Sequence, residues 1–445
     1  MHITWARLRD GFRTNLWPIP TICVAGALLL GLVLPRVDRR LEGGSSDLIF
    51  GGGADAASTV LSAISGSLIT VTSLTFSLTV VTLQLASSQF SPRLLRTFTR
   101  DLVVQGTLGL FLGTFTFSLT VLRTVRTATG GEEPFVPRFS VTVAYLLAVA
   151  SVLALVFFLA HLTQTIRVES MLYSVRQGAS AVVSRVSDDD RLTKEAARDL
   201  VPGDAVLLMA TSSGFLIDVV ERDLLALAVE YEAVVFIERN PGDSVVVGTP
   251  IGWVWSTSGT PMETERCDEL MASVGARVTT GFERTTTADL SMGLRQLTDV
   301  AVKALSPGIN DPTTAVHALG HSSALLCQLS QVSLGPRLVR DDDGAVRVVL
   351  SRQVFDDLLA LGVEQPAHYG SGDPAVMSRL FMLLREVAWT EGRHTDAAVA
   401  VQMERLKRLV AATQFDPIDR SLLDVEADRV AAAIDGRWDQ TGRVH

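Results

Sequence analysis

Apolar residues are spread unevenly along this chain. They collect in four long runs before residue 164, and short alternating stretches follow. A lipid-crossing helix needs about 20 predominantly apolar residues, and the runs at about 16–34, 56–91, 102–122 and 139–162 meet that length. The first carries Trp17 at interfacial depth, with Pro18 and Pro20 in its first turn, where proline is tolerated; Pro35 and Arg36 are expected to end it. The third holds Gly109 and Gly113, a GxxxG pair that favours close helix packing.

The second run is unusual for a lipid-facing helix because it is dense in Ser and Thr. At roughly 100° per residue, Ser62, Thr70, Ser73, Ser77, Gln84, Ser88 and Ser91 fall within about 80° of one another. Thr72, Thr75, Thr79 and Thr82 form a second, weaker polar side. Two readings of the stripe stand side by side. Small hydroxyl residues let membrane helices approach closely and hydrogen-bond across a seam. Alternatively, copies of the helix from several subunits surround a water-filled path lined by Ser62, Thr70, Ser73, Ser77, Gln84 and Ser88. An unpartnered Gln in hydrocarbon is costly, which favours the path. Ser91-Pro92 resembles a helix N-cap and first position, placing Arg93, Arg96 and Arg100 on one face. These arginines suit lipid headgroups at the interface or serve as plain topological charge.

Beyond residue 164 the pattern is soluble α+β. Residues 165–200 read as a helical connector. Four β-rich runs then fill 201–283, interrupted by one helix, and suggest a small closed, barrel-like unit. Asn240-Pro241-Gly242-Asp243 has Pro and Gly in the slots of a type II turn. Residues 284–445 are mainly helical, with a hairpin near 337–351. There, Ser306-Pro307-Gly308 ends one helix and Asp311-Pro312 caps the next. Ser306, Asn310 and Asp311 are the polar groups of a candidate regulatory loop. The fold class is thus a four-span α-helical membrane domain (1–164) followed by an α+β soluble domain with a helical C-terminal part.

Composition sharpens this picture. The chain has 445 residues, is 47% hydrophobic and carries a net charge of −9; its mean hydropathy is +0.31. Lys and Arg number 12 against 8 acids up to residue 164, and 27 against 40 beyond it. An acidic soluble part argues against a nucleic-acid partner, which requires clustered basic residues. Cys23, Cys267 and Cys327 form no disulfide framework. That suits a reducing compartment and places both termini in the cytoplasm of a bacterial inner membrane. Arginines are nearly balanced between the two sides, so charge alone decides little about orientation.

Catalytic and ligand signals are weak. His317 and His321 stand at i, i+4, a spacing that can grip a metal, but no third ligand is evident and no metal site is assigned. Gly320-His321-Ser322-Ser323-Ala324 faintly matches a nucleophile elbow yet lies in a helical pattern rather than at a strand-to-helix turn. No phosphate loop or dinucleotide fingerprint is present, so neither an enzyme nor a cofactor is expected. The spans also lack buried charges of the kind that coupled transporters use.

Two stretches are similar to the signatures of a bacterial family of predicted integral membrane proteins of unknown function, the DUF 2254 type. They run from Ser62 to Phe98 and from Ala304 to Ala315 (ALSPGINDPTTA), and FVPRFSVTVA from Phe135 agrees. The family pattern carries a Gln-Asp pair where this chain has Ala288-Asp289, so a polar role for position 288 is in question. The resemblance implies four spans and a soluble domain, and no activity. From the residues, the expected function is a homo-oligomeric ion channel in the lipid bilayer. Its soluble ring or vestibule, with an excess of 13 acids per subunit, would steer inorganic cations. The alternative is a membrane-anchored sensor or scaffold whose soluble domain binds a ligand or partner.

Overall fold

A computed structural model describes residues 17–39, 50–89, 101–126, 135–165, 167–184, 191–284, 289–391 and 396–438. The chain divides into two compact units, Met1–Ser170 and Met171–His445.

The first unit holds four helices long and apolar enough to cross a membrane: α1 (Pro18–Asp38), α2 (Ala54–Gln89), α3 (Leu102–Leu122) and α4 (Arg138–Thr165). Helix α3 is the hub and packs against the other three. Phe111, Phe117 and Val121 of α3 meet Ala57, Leu61, Ile64 and Leu68 of α2 and Val141 and Ala144 of α4 in one buried cluster. The glycine pair of α3 faces α1: a Cβ on Gly109 would lie 2.9 Å from Cys23 Sγ, and one on Gly113 would lie 3.5 Å from Cys23 O. Gly31 of α1 returns the contact against Thr120, so both helices lose side-chain bulk where their backbones approach.

Helix α1 does not stop at Pro35, as expected from the sequence; it continues to Asp38. Proline removes one helical hydrogen bond and crowds the preceding turn. Here it stands in the last turn, where little helix remains to be disrupted. The extra turn also brings the Asp38 carboxylate to the start of α4. At a rise of about 1.5 Å per residue, α1 and α3 are about 30 Å long and match a hydrocarbon core, whereas α2, with 36 residues, exceeds it by about 20 Å.

The second unit begins with α5 (Val168–Val183), which buries Met171, Leu172, Val175, Ala179 and Val183 on one face, and a short α6 (Lys194–Arg198). Next come β1 (Val206–Met209), β2 (Gly214–Val219), α7 (Glu221–Glu230), β3 (Ala233–Ile237), β4 (Ser244–Val245), β5 (Pro250–Ser256), α8 (Thr264–Gly275) and β6 (Val278–Gly281). Helices α9 (Ser291–Ala304) and α10 (Pro312–Ser330) precede the hairpin β7 (Arg337–Arg340) and β8 (Val346–Leu350). The unit then finishes with α11 (Phe355–Tyr369), α12 (Pro374–Glu391), α13 (Asp396–Ala412) and α14 (Pro417–Ile434).

The strands do not close into the expected barrel-like unit. They form an open five-stranded sheet, β1-β5-β3-β8-β7, and a three-stranded sheet, β4-β2-β6. The reason is the downstream hairpin: β8 pairs in parallel with β3 through Val235↔Val348, Phe236↔Val349 and Ile237↔Leu350, occupying the edge that barrel closure would have used. All residues of β3 are buried as a result. The turn at 240–243 matches its type, with Gly242 at φ +93° and Asp243 N donating to Asn240 O at 3.0 Å. Helix α5 is clamped to the helical layer where Gly293 of α9 leaves room for Ala179 and Ser180 Oγ donates to Gln328 Oε1 at 2.6 Å.

Candidate functional site

Helix α2 has two opposite polar sides, and the structure gives them different surroundings. Thr72, Thr75, Thr79 and Thr82 are buried along with Leu61, Ile64 and Leu68. Their hydroxyls need no external partner: each donates to the carbonyl one turn back, Thr72 to Leu68 at 2.6 Å, Thr75 to Val71 at 2.8 Å, Thr79 to Thr75 at 2.8 Å and Thr82 to Leu78 at 2.9 Å. Such back-bonding lets a hydroxyl residue behave as an apolar one inside a membrane bundle. The weaker polar side in the sequence is thus the packing side.

The stronger stripe lies about half a turn away from that buried face. Ser62, Thr70, Ser73, Ser77 and Gln84 are all exposed on the single chain. Thr70 Oγ1 donates to Gly66 O at 3.2 Å. Ser88 lies on the same helix, and its side chain falls outside the described residues, as do Arg93, Arg96 and Arg100. Phe76 is exposed beside the stripe. It lines an apolar groove of about 530 Å³ with Trp17, Pro20, Ile69, Ser73 and Leu108. Ser73 therefore borders both a hydrocarbon-like groove and the polar stripe.

Both ends of the bundle are fixed by carboxylates. Asp38 Oδ1 accepts from Phe139 N at 3.0 Å, while its Oδ2 accepts from Ser140 N at 3.1 Å and Ser140 Oγ at 2.6 Å. Asp101 caps α3 by accepting from Val103 N at 2.9 Å, and its other oxygen lies 2.5 Å from His161 Nε2. His161 thus serves at a helix end, tied to a carboxylate far away in sequence. Neither pairing was legible beforehand, because both depend on helix adjacency.

In the second unit, Ser306, Asn310 and Asp311 sit together between α9 and α10. Ser306 O accepts from Ile309 N and Asn310 N at 3.0 and 2.9 Å, and Asp311 N donates to Ala304 O at 2.8 Å. Asn310 takes a left-handed conformation, φ 50°, which Asn tolerates better than most residues. Asp311 Oδ1 accepts from Thr314 N at 3.0 Å and Oδ2 from Thr314 Oγ1 at 2.6 Å. The Thr314 hydroxyl, followed by its amide, holds the Asp311 carboxyl below the usual carboxylate range. Capping therefore occupies this carboxylate, while 307–310 remain exposed.

Asp289 proves to be a buried junction. It is 3% exposed, accepts from Arg284 Nε at 2.8 Å, and receives the Ser291 amide and hydroxyl at 3.0 and 2.7 Å. The turn glycine Gly242 backs onto this pair: a Cβ there would lie 2.3 Å from Asp289 Oδ2. Among the described residues, no group of three or more His, Cys, Asp or Glu side chains is arranged to hold a metal ion.

The family profile described as "Predicted membrane protein (DUF2254)" matches residues 13–386. The chain is 34% identical over 434 residues to uncharacterised proteins of Mycobacterium tuberculosis (strain H37Rv) and Mycobacterium bovis, covering 96% of this chain and 82% of each relative. No solved structure matches it.

Proposed function

The chain belongs to the DUF2254 family of predicted membrane proteins, and from that premise we propose that it is one subunit of a homo-oligomeric ion channel in the bacterial inner membrane. The path is lined by Ser62, Thr70, Ser73, Ser77, Gln84 and Ser88 of α2. One observation carries this reading: the Ser/Gln stripe is exposed on the side of α2 opposite its packed Thr/Leu face. Hydrocarbon cannot solvate the Gln84 amide, which stands exposed on the same side as Ser62, Ser73 and Ser77, so the stripe calls for water or for other copies of the helix. The excess of acids beyond residue 164 favours cations through long-range steering. The reading assigns no catalysis and no cofactor, and it places both termini in the cytoplasm.

The test is ion flux through the purified full-length protein in liposomes, with single cysteines at Ser73, Ser77, Thr75 and Phe76. A water-soluble thiol reagent is expected to modify S73C and S77C and alter the flux, and to spare the buried T75C and the lipid-side F76C. Equal protection at all four positions, with no flux under voltage or tension, overturns the channel. A second reading, a membrane-anchored sensor, is favoured by a polar cavity of about 680 Å³ in the soluble unit; it requires ligand binding without flux.

A further inference from the structure

Strands β3 and β8 run in parallel, and each is followed by an amide side chain at the same register position. Ile237 pairs with Leu350, and three residues further along each segment stand Asn240 and Gln353. Neighbouring strands lie about 4.8 Å apart, and these two extensions stay close. Ser351 N donates to Ile237 O at 2.8 Å, and Gln353 Nε2 donates to Pro241 O at 3.1 Å. Gly242 lets the turn press down on its neighbours: a Cβ there would lie 2.5 Å from Arg284 Nη2. In open α/β sheets, ligands bind beyond the carboxyl ends of parallel strands, and Asn240 and Gln353 occupy such a place.

The two amides carry the same deficit. Gln353 is 6% exposed, and its nitrogen serves Pro241 O and faces Asp289 Oδ1 at 3.5 Å. Its Oε1 is buried, as is Asn240 Oδ1, and among the described residues neither oxygen has a hydrogen-bond donor. A buried acceptor left unmet is costly, and one in a native fold points to a bound water, ion or ligand. Two at matching positions call for one species that both contact. The surrounding charge favours a positive one. Arg284 Nε and Nη2 both donate to Asp289 Oδ2, so that pair is balanced, and Asp243 adds a carboxylate whose Oδ2 accepts from Asn240 N at 2.9 Å. Of the neighbouring arginines, Arg352 pairs with Glu221 and Arg239 is exposed to solvent.

We propose that Asn240 Oδ1 and Gln353 Oε1 are ligands of a monovalent alkali cation, with water supplying its remaining contacts. Neutral carbonyl oxygens can replace the hydration shell of such an ion. A divalent ion draws on carboxylates, and the buried one here, Asp289, already accepts from Arg284 Nε, Ser291 N and Ser291 Oγ. Asn240 is half-buried, which gives the ion a way in from solvent. The bound cation ties the end of β3 to the end of β8. The site does not rest on the channel reading and survives its failure.

Full-length protein in detergent is melted in potassium, sodium and choline chloride at equal ionic strength. The expected result is a saturable rise in melting temperature with potassium or sodium over choline, by about 5 °C at about a hundred times the Kd. N240A removes one oxygen and is expected to abolish most of that rise. N240D keeps the oxygen, adds charge and enlarges the rise; the exposed Q414A leaves it unchanged. A variant that only loosens the turn lowers the melting temperature equally in all three salts. Circular dichroism establishes that each variant folds; if N240A does not, N240D decides. Equal melting in the three salts overturns the proposal and leaves both oxygens to water. A rise that the Asn240 variants do not change also overturns it and places the cation elsewhere, such as along α2, where the channel reading puts it.

Discussion

Asp38 and Ser140 are joined twice through one carboxylate oxygen, which accepts both the Ser140 amide and its hydroxyl. The last residue of α1 therefore supplies the N-terminal cap of α4, a helix about a hundred residues away. Removing a capping carboxylate typically costs about 1 kcal/mol, and up to about 2 kcal/mol where the site is enclosed. Asp38 is buried, so D38A is expected near the upper figure, and D38N, which keeps an acceptor, near half of it. Thermal melts of the protein in detergent measure the difference.

The seam between α1 and α3 gives a sharper contrast. Gly109 faces Cys23 across the seam, whereas a side chain at Gly106, one turn earlier, would meet nothing within 4 Å of its Cβ. Gly109→Val is expected to destabilise the protein by about 1–3 kcal/mol through overpacking. Gly106→Val should leave the melting temperature unchanged. Equal effects of the two substitutions would show that this seam does not hold the helices together.

Acid should weaken the start of α10. The Thr314 hydroxyl and amide hold the Asp311 carboxyl below its ordinary range. A group depressed in the folded state stabilises above its unfolded value, and that contribution disappears as pH falls through the folded value. At neutral pH D311A is expected to cost about 1 kcal/mol, and the cost should shrink in acid as the wild-type cap protonates. D311N keeps the cap and loses the pH dependence. Chemical denaturation at pH 7 and at pH 3 reads both effects.

Much of the first unit was written into local pattern. Unbroken apolar length fixed the four spans, and Asp311-Pro312 marked a helix start. The two polar sides of α2 were also visible, but their ranking by strength did not predict their fates. The threonines looked like a second polar face and are the buried one, because a threonine hydroxyl can satisfy itself on its own helix. What local pattern cannot carry is adjacency. Asp38 with Ser140, Asp101 with His161, and Glu221 with Arg337 and Arg352 are each joined over long stretches of sequence, and each depends on which elements lie side by side rather than on a motif. The closed β unit was expected for the same reason: the four early strands contain no sign that a later hairpin would take the open edge of β3.

That late partner has a consequence for how the chain is made. The central strand β3 is apolar throughout and is completed only when Val348 to Leu350 arrive. At a synthesis rate of about 5–20 residues per second, β3 spends on the order of ten seconds outside the ribosome with one bare edge. An unpaired apolar edge is a template for aggregation. The interval between β3 and β8 holds the strands β4 to β7 and the helices α8 to α10; the helices have local contacts and form quickly. The order of elements along the chain thus leaves the nascent protein most vulnerable between residue 237 and residue 350, and a fragment ending anywhere in that interval would carry the exposed edge permanently.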